Sequence, residues 1–164
     1  MAYLMPKDFI KIVLIDELGD MINSKPYLSF TLMAIGVEFL GKCMDVQQSD
    51  WNLGGSETNF RRAINGLNSL KIYRDPILLK YKLWDSFRNG FAHSFVPKKT
   101  LSLSSKNEMV HMNEYLDNGI EKINLRCEDF YDHFKSACEE VIKTPFIDRR
   151  GVINKMNRPL LAVP

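Results

Sequence analysis

"LWDSFRNGFAHSFVP", residues 83–97, governs the interpretation of this chain. It begins as an apolar helix, with Leu83, Trp84 and Phe87. It then sets an arginine, an asparagine, a glycine and a histidine within six positions. On an ideal helix Trp84, Phe87, Phe91 and Phe95 form one apolar stripe, and Lys82, Ser86, Asn89 and His93 a nearly opposite polar one. Arg88 and His93 are five apart, so their Cβ directions differ by about 140° on that helix. Two readings are open. In one, Asn89-Gly90 ends a helix, with glycine in the left-handed cap position, Arg88 a surface charge and His93 a loop residue. In the other, Arg88, Asn89 and His93 form a site.

The flanking segments have the same texture. Upstream, Asp75-Pro76 opens this fourth helix, proline suiting a first turn. Residues 7–23 place Phe9, Ile10, Val13, Leu14, Leu18, Met21 and Ile22 at helical spacing, which predicts a first helix. "YLSFTLMAIGVEFLGKCMD" is apolar nearly all round and predicts a central second helix. Glu38 interrupts it and has two candidate partners, Lys42 one turn on and Arg88. "VQQSDWNLGGSE" reads as a polar loop, with Trp51 a core anchor or a loop aromatic, and a shorter helix comes next over 57–67. Downstream of Pro97, "TLSLS", "KNEMVHM" and "GIEKINL" look like short strands separated by "SSKN" and "DNG" turns, which places His111 on a strand at the surface. "CEDFYDHFKSACEEVIK" predicts a last helix. The expected architecture is mainly α, a bundle of about five helices with a small β-hairpin or meander inserted before the last. The expected organisation is one domain over 1–148, its β-insertion at 98–125, and a basic tail at 149–164, loose or packed through Leu160 and Leu161. Phe30, Met33, Val37, Leu40, Leu79, Trp84, Phe87, Phe91, Phe130 and Phe134 are the expected core.

Composition bounds the rest. The chain has 164 residues, 45% apolar and 26% charged, with a net charge of +2. A polyanion partner is not advertised by the surface as a whole, so nucleic-acid contact would depend on local clusters. Three widely spaced cysteines form neither a disulfide framework nor a C-x-x-C pair, and "MAYLMPKDF" lacks the pattern of a secretory signal; a cytoplasmic setting is expected. Cys127, His133 and Cys138 do not share a helical face, so neither a metal nor a cofactor is expected.

"RNGFAH", residues 88–93, fits the R-x-x-x-x-H motif, with a polar residue after the arginine, of HEPN domains, and the chain resembles that family over about residues 7–143. It is also similar to uncharacterised bacterial proteins with an "L-R-x-G-x-A-H" core followed by a hairpin and a helix like "INLRCEDFYDHF". The resemblance implies a helical bundle, a homodimer with the two motifs facing each other, and either a metal-independent ribonuclease of stress or antiviral defence or a non-catalytic module binding RNA, nucleotide or a protein partner such as an antitoxin. It implies catalytic roles for Arg88, Asn89 and His93, with Glu38 in support. The chemistry suits the residues: histidine exchanges protons near neutral pH, and arginine's planar fork fits phosphate oxygens. Lys98 and Lys99 would extend a phosphate-binding patch or be a solvated loop. Gly90 and Ala92 permit close backbone approach, across a dimer contact or within the subunit.

Overall fold

The computed structural model describes residues 2–47, 51, 54–94, 96–106, 108–146 and 155–163. Strand β1 (Ala2–Leu4) leads into one helical rod made of α1 (Pro6–Phe9), a π-helical stretch at Ile10–Glu17, and α2 (Leu18–Met21). Helix α3 (Pro26–Cys43) is next, with proline in its first turn, where no intrahelical N–H is needed. Helix α4 (Ser56–Gly66) and a 3₁₀ turn at Asn68–Tyr73 complete the first half. Then come α5 (Ile77–Lys80), a second π-helical stretch at Trp84–Asn89, and α6 (Gly90–Ser94). Strands β2 (Leu101–Ser104), β3 (Glu114–Asp117) and β4 (Ile120–Arg126) precede α7 (Cys127–Lys143). A 3₁₀ turn at Lys155–Asn157 and strand β5 (Leu161–Val163) close the chain.

The molecule is thus mainly α with a small three-stranded sheet before the last helix, as the sequence pattern predicts. Helix α3 is the axis. Phe30, Met33, Ala34, Val37, Leu40 and Cys43 along it are all buried. The contact with α4 is so close that a Cβ on Gly41 would stand 1.7 Å from the carbonyl oxygen of Asn59. Only glycine allows the two backbones to meet there. An aromatic cluster fills the space between α3, the second π stretch and α7. Phe87 lies edge-on to Phe30, Phe91 and Phe130, at centroid distances of 6.0, 5.6 and 5.1 Å. Among the described residues, no helix is long and apolar enough to cross a membrane.

Two expectations need correction. The fourth helix is not continuous: Lys82 takes a positive φ of 48°, which stops α5 and restarts the helix at Trp84. That break rotates the first segment, so Leu78 is buried while Leu79 is 54% exposed, and Trp84 is only partly buried. Phe95, expected on the same stripe, lies outside the described residues. Second, "KNEMVHM" forms no strand among its described residues. Lys106 and Met112 have positive φ, and the strand forms one step later, at Glu114–Asp117. The expected hairpin is present before the last helix, with a parallel strand added to it. β3 and β4 pair antiparallel across Asn118-Gly119, both with positive φ, as a two-residue hairpin turn requires. β2 pairs parallel with β4, Leu101 opposite Ile123 and Leu103 opposite Leu125, and forms the other edge. In the tail, Lys155 and Met156 are buried, and β5 pairs antiparallel with β1. The Lys155 ammonium lies 5.0 Å from the centroid of the Trp51 ring, which in turn stacks on Phe39.

The burial pattern sets the expected energetics. Phe87→Ala should cost about 3–5 kcal/mol in urea denaturation, whereas Leu79→Ala should cost no more than about 0.5 kcal/mol. Gly41→Ala should destabilise by at least about 1–3 kcal/mol, because a backbone carbonyl cannot step aside.

Candidate functional site

Position 38 lies on a helix that is otherwise almost wholly apolar, so its carboxylate needs partners. It has two. Arg88 Nε donates to Glu38 Oε2 at 2.5 Å, and the Ser56 hydroxyl at the start of α4 donates to Oε1. The Arg88 and Glu38 side chains are 18% and 14% exposed, which makes this a largely shielded pair. The guanidinium also lies over Trp84, 5.0 Å from the ring centroid, one turn earlier in the same segment. Carboxylate, hydroxyl and indole therefore fix the arginine in one orientation. Glu38 takes Arg88 rather than Lys42.

The π-helical geometry carries the helix straight through the motif. The Gly90 N–H donates to the Asp85 carbonyl, a five-residue span, and the chain then runs on as α6 with Gly90 at φ −57°. Gly90 is therefore no left-handed cap. Its small size serves the subunit itself: a Cβ there would stand 2.7 Å from the Val96 carbonyl oxygen. Gly90 packs on its own chain's 96–98 turn, while Ala92 is exposed. Ser86, expected on the polar face, is buried and bonds to the Tyr81 carbonyl and the Thr100 hydroxyl. The wider turn has moved it inward.

The remaining candidates separate. Asn89 Nδ2 donates to Asp85 Oδ1 at 3.0 Å, and Lys98 Nζ donates to the same oxygen at 2.5 Å. Lys98, and then Asn89, hold the Asp85 carboxyl below its usual range. Asn89 and Lys98 thus belong to a second small cluster, beside the Arg88–Glu38 pair. Lys99 is exposed. His93, on α6, is also exposed, and no described residue engages its ring in a hydrogen bond or ion pair. The fold therefore joins Arg88 to Glu38 and Asn89 to Lys98, and leaves His93 free of both on the next turn. Among the described residues no group of three His, Cys, Asp or Glu side chains could hold a metal ion.

Another array has no counterpart in the sequence pattern. Tyr73, His111 and His133 meet although they lie in the 3₁₀ turn, the segment before β3, and α7. Tyr73 Oη is 2.8 Å from both His111 Nε2 and His133 Nδ1. His111 is thus part-buried in a turn rather than on a surface strand. Three residues so far apart in sequence leave no local pattern to read. The Tyr73 hydroxyl requires a partner because it is buried, and that burial is itself a product of the tertiary fold.

If the Arg88–Glu38 pair fixes the segment, Glu38→Ala should cost about 1.5–3 kcal/mol, since it strands a charged donor. Most of that loss should vanish when Arg88→Met is already present. A double-mutant cycle read by thermal unfolding checks the coupling. Comparison with protein-family models, curated proteins and solved structures gives no match for this chain.

Proposed function

We propose that the chain is a HEPN-like protein that cleaves RNA without a metal, as a homodimer in which Arg88 of one subunit serves beside His93 of the other. The observation that carries the reading is the contrast between the two residues of the motif. Arg88 is held by Trp84 and by Glu38, whose other oxygen accepts from Ser56, whereas His93 is solvent-facing, with neither ring nitrogen engaged by a described residue. A preset guanidinium can stabilise charge on a phosphate, and a free imidazole can take the 2′-hydroxyl proton or return one to the leaving 5′-oxygen. One subunit offers one such histidine; a two-fold axis near α6 would bring two into one cleft. The exposure of Ala92 beside His93 supports an approach of a second chain there. Asn89 would orient the phosphate or imidazole, and Lys98 and Lys99 would extend the binding surface.

A second reading is favoured by a different observation. The Arg88 charge is already neutralised by Glu38, which leaves less of it for a phosphate. On that reading the same face binds RNA, nucleotide or a protein partner and does no chemistry.

The test is cleavage of mixed RNA by purified protein with EDTA present. EDTA-resistant activity should fall by about 10²–10⁴-fold in His93→Ala, with the thermal midpoint retained. Lys98→Ala should mainly change the salt dependence of binding. Equal cleavage by wild type and His93→Ala would assign the activity to a contaminant. A protein that binds RNA but cleaves none would support the second reading, and a monomer by light scattering at high concentration would remove the dimeric site.

A further inference from the structure

The Tyr73–His111–His133 array has only one proton arrangement that satisfies it. The backbone N–H of Arg126 donates to His111 Nδ1 at 3.0 Å. A backbone amide can only donate, so Nδ1 of neutral His111 carries no proton and Nε2 does. His111 Nε2–H then donates to Tyr73 Oη. The Tyr73 hydroxyl must direct its own proton to His133 Nδ1. Each polar atom facing inward is satisfied, and the order runs in one direction from the start of α7 to its second turn.

Adding a proton breaks this order wherever it lands. On His111 Nδ1 it meets the Arg126 N–H, donor against donor. On His133 Nδ1 it meets the Tyr73 O–H and leaves that hydroxyl's hydrogen without an acceptor, in a residue with no exposed surface. The groups facing His111 are Tyr73 on the 3₁₀ turn, Arg126 at the end of β4, and Asp129 and His133 on α7. Asp129 favours the charged imidazole, but it is already committed: Arg126 grips both its oxygens and holds its carboxyl below the usual range. Burial, reinforced by His133 and Arg126, outweighs Asp129 and depresses the His111 pKa to about 4.

The array also occupies a joint. The 110–113 segment is tied to β4 by Met112 N–H to the Asn124 carbonyl, Asn124 N–H to the Asn113 carbonyl, and the Asn124 amide to the Val110 carbonyl. From that segment His111 reaches Tyr73 and His133 of the helical bundle, beside Met112, which packs against the core. From this geometry we propose that Tyr73, His111 and His133 form an acid-released latch, which pins the β-insertion to α7 at neutral pH and lets the 110–113 segment open when His111 takes a proton.

The sign comes from linkage. The His111 pKa is lowered in the folded state, so the closed latch is fully favoured above about pH 6.5, the ordinary histidine value, and loses that advantage as pH falls toward 4. One proton taken up on opening raises the open population by up to about ten-fold per pH unit across that window. Amide exchange of the full chain, corrected for intrinsic chemistry, should show Met112, Asn124 and Arg126, whose amides bond across this joint, losing protection between pH 7 and 4.5 while Phe134–Val141 keep theirs. His111→Asn places a carboxamide oxygen where Nδ1 stands, keeps an acceptor for Arg126 and cannot titrate; it should flatten the dependence. In the wild type, ¹⁵N spectra should report His111 as the Nε2–H tautomer at pH 7. Unchanged protection down to pH 4.5, equal loss in α7, a dependence that survives in His111→Asn, or His111 titrating at its ordinary value would each overturn the latch.

Discussion

One constraint governs the molecule: α3 is apolar around nearly its whole circumference and must be covered along most of it, with only Tyr27, Leu28 and Ile35 among its large apolar side chains left exposed. The first helical rod, α4, the second π stretch with α6, and α7 all pack on it, and the aromatic cluster around Phe87 fills the deepest contact. A charge in such a helix is costly unless it is paired, so Glu38 dictates where an arginine must be. The Arg88–Glu38 pair is thus a condition of burying α3 before it is anything else. A site built there inherits a guanidinium already in place.

The two π-helical stretches answer the same demand. A wider turn lets a segment present more side chains to a neighbour than the ordinary helical repeat would. In the second stretch it carries Ser86 and Phe87 inward together, while Trp84 stays at the edge, where its ring can lie under Arg88. Gly90 then allows the turn at 96–98 to fold back onto the helix, and the Lys98 N–H donates to the Ser86 carbonyl. The motif is consequently rigid on its arginine side and open on its histidine side.

Much of this is legible in the sequence, and the failures have physical causes. Helical periodicity reveals the first rod and α7, because a half-apolar pattern at that spacing has one efficient way to bury itself, and α3 is legible as a segment apolar nearly all round. The Arg88–Glu38 partnership is among the readable alternatives, since a carboxylate in an apolar helix asks for a cation. The break at Lys82 is not readable: a lysine at positive φ carries no local signal, and it displaced Leu79 and Trp84 from their expected places. "KNEMVHM" imitates a strand by composition, but turn geometry at Lys106 and Met112 overrides it. The parallel partnership of β2 with β4 and the convergence of Tyr73, His111 and His133 are both long-range, and local pattern does not encode them.

The pairing of β1 with β5 brings Ala2 opposite Val163, so the described segment leaves the molecule almost where it enters. Neighbouring strands lie about 4.8 Å apart. A chain with that geometry behaves topologically as a ring with one small gap. It can be closed by a short linker and reopened elsewhere, at the exposed Asn118-Gly119 turn for instance, without disturbing the helices. It can equally be spliced into a surface loop of another protein, since the host's two cut ends need only be one strand spacing apart.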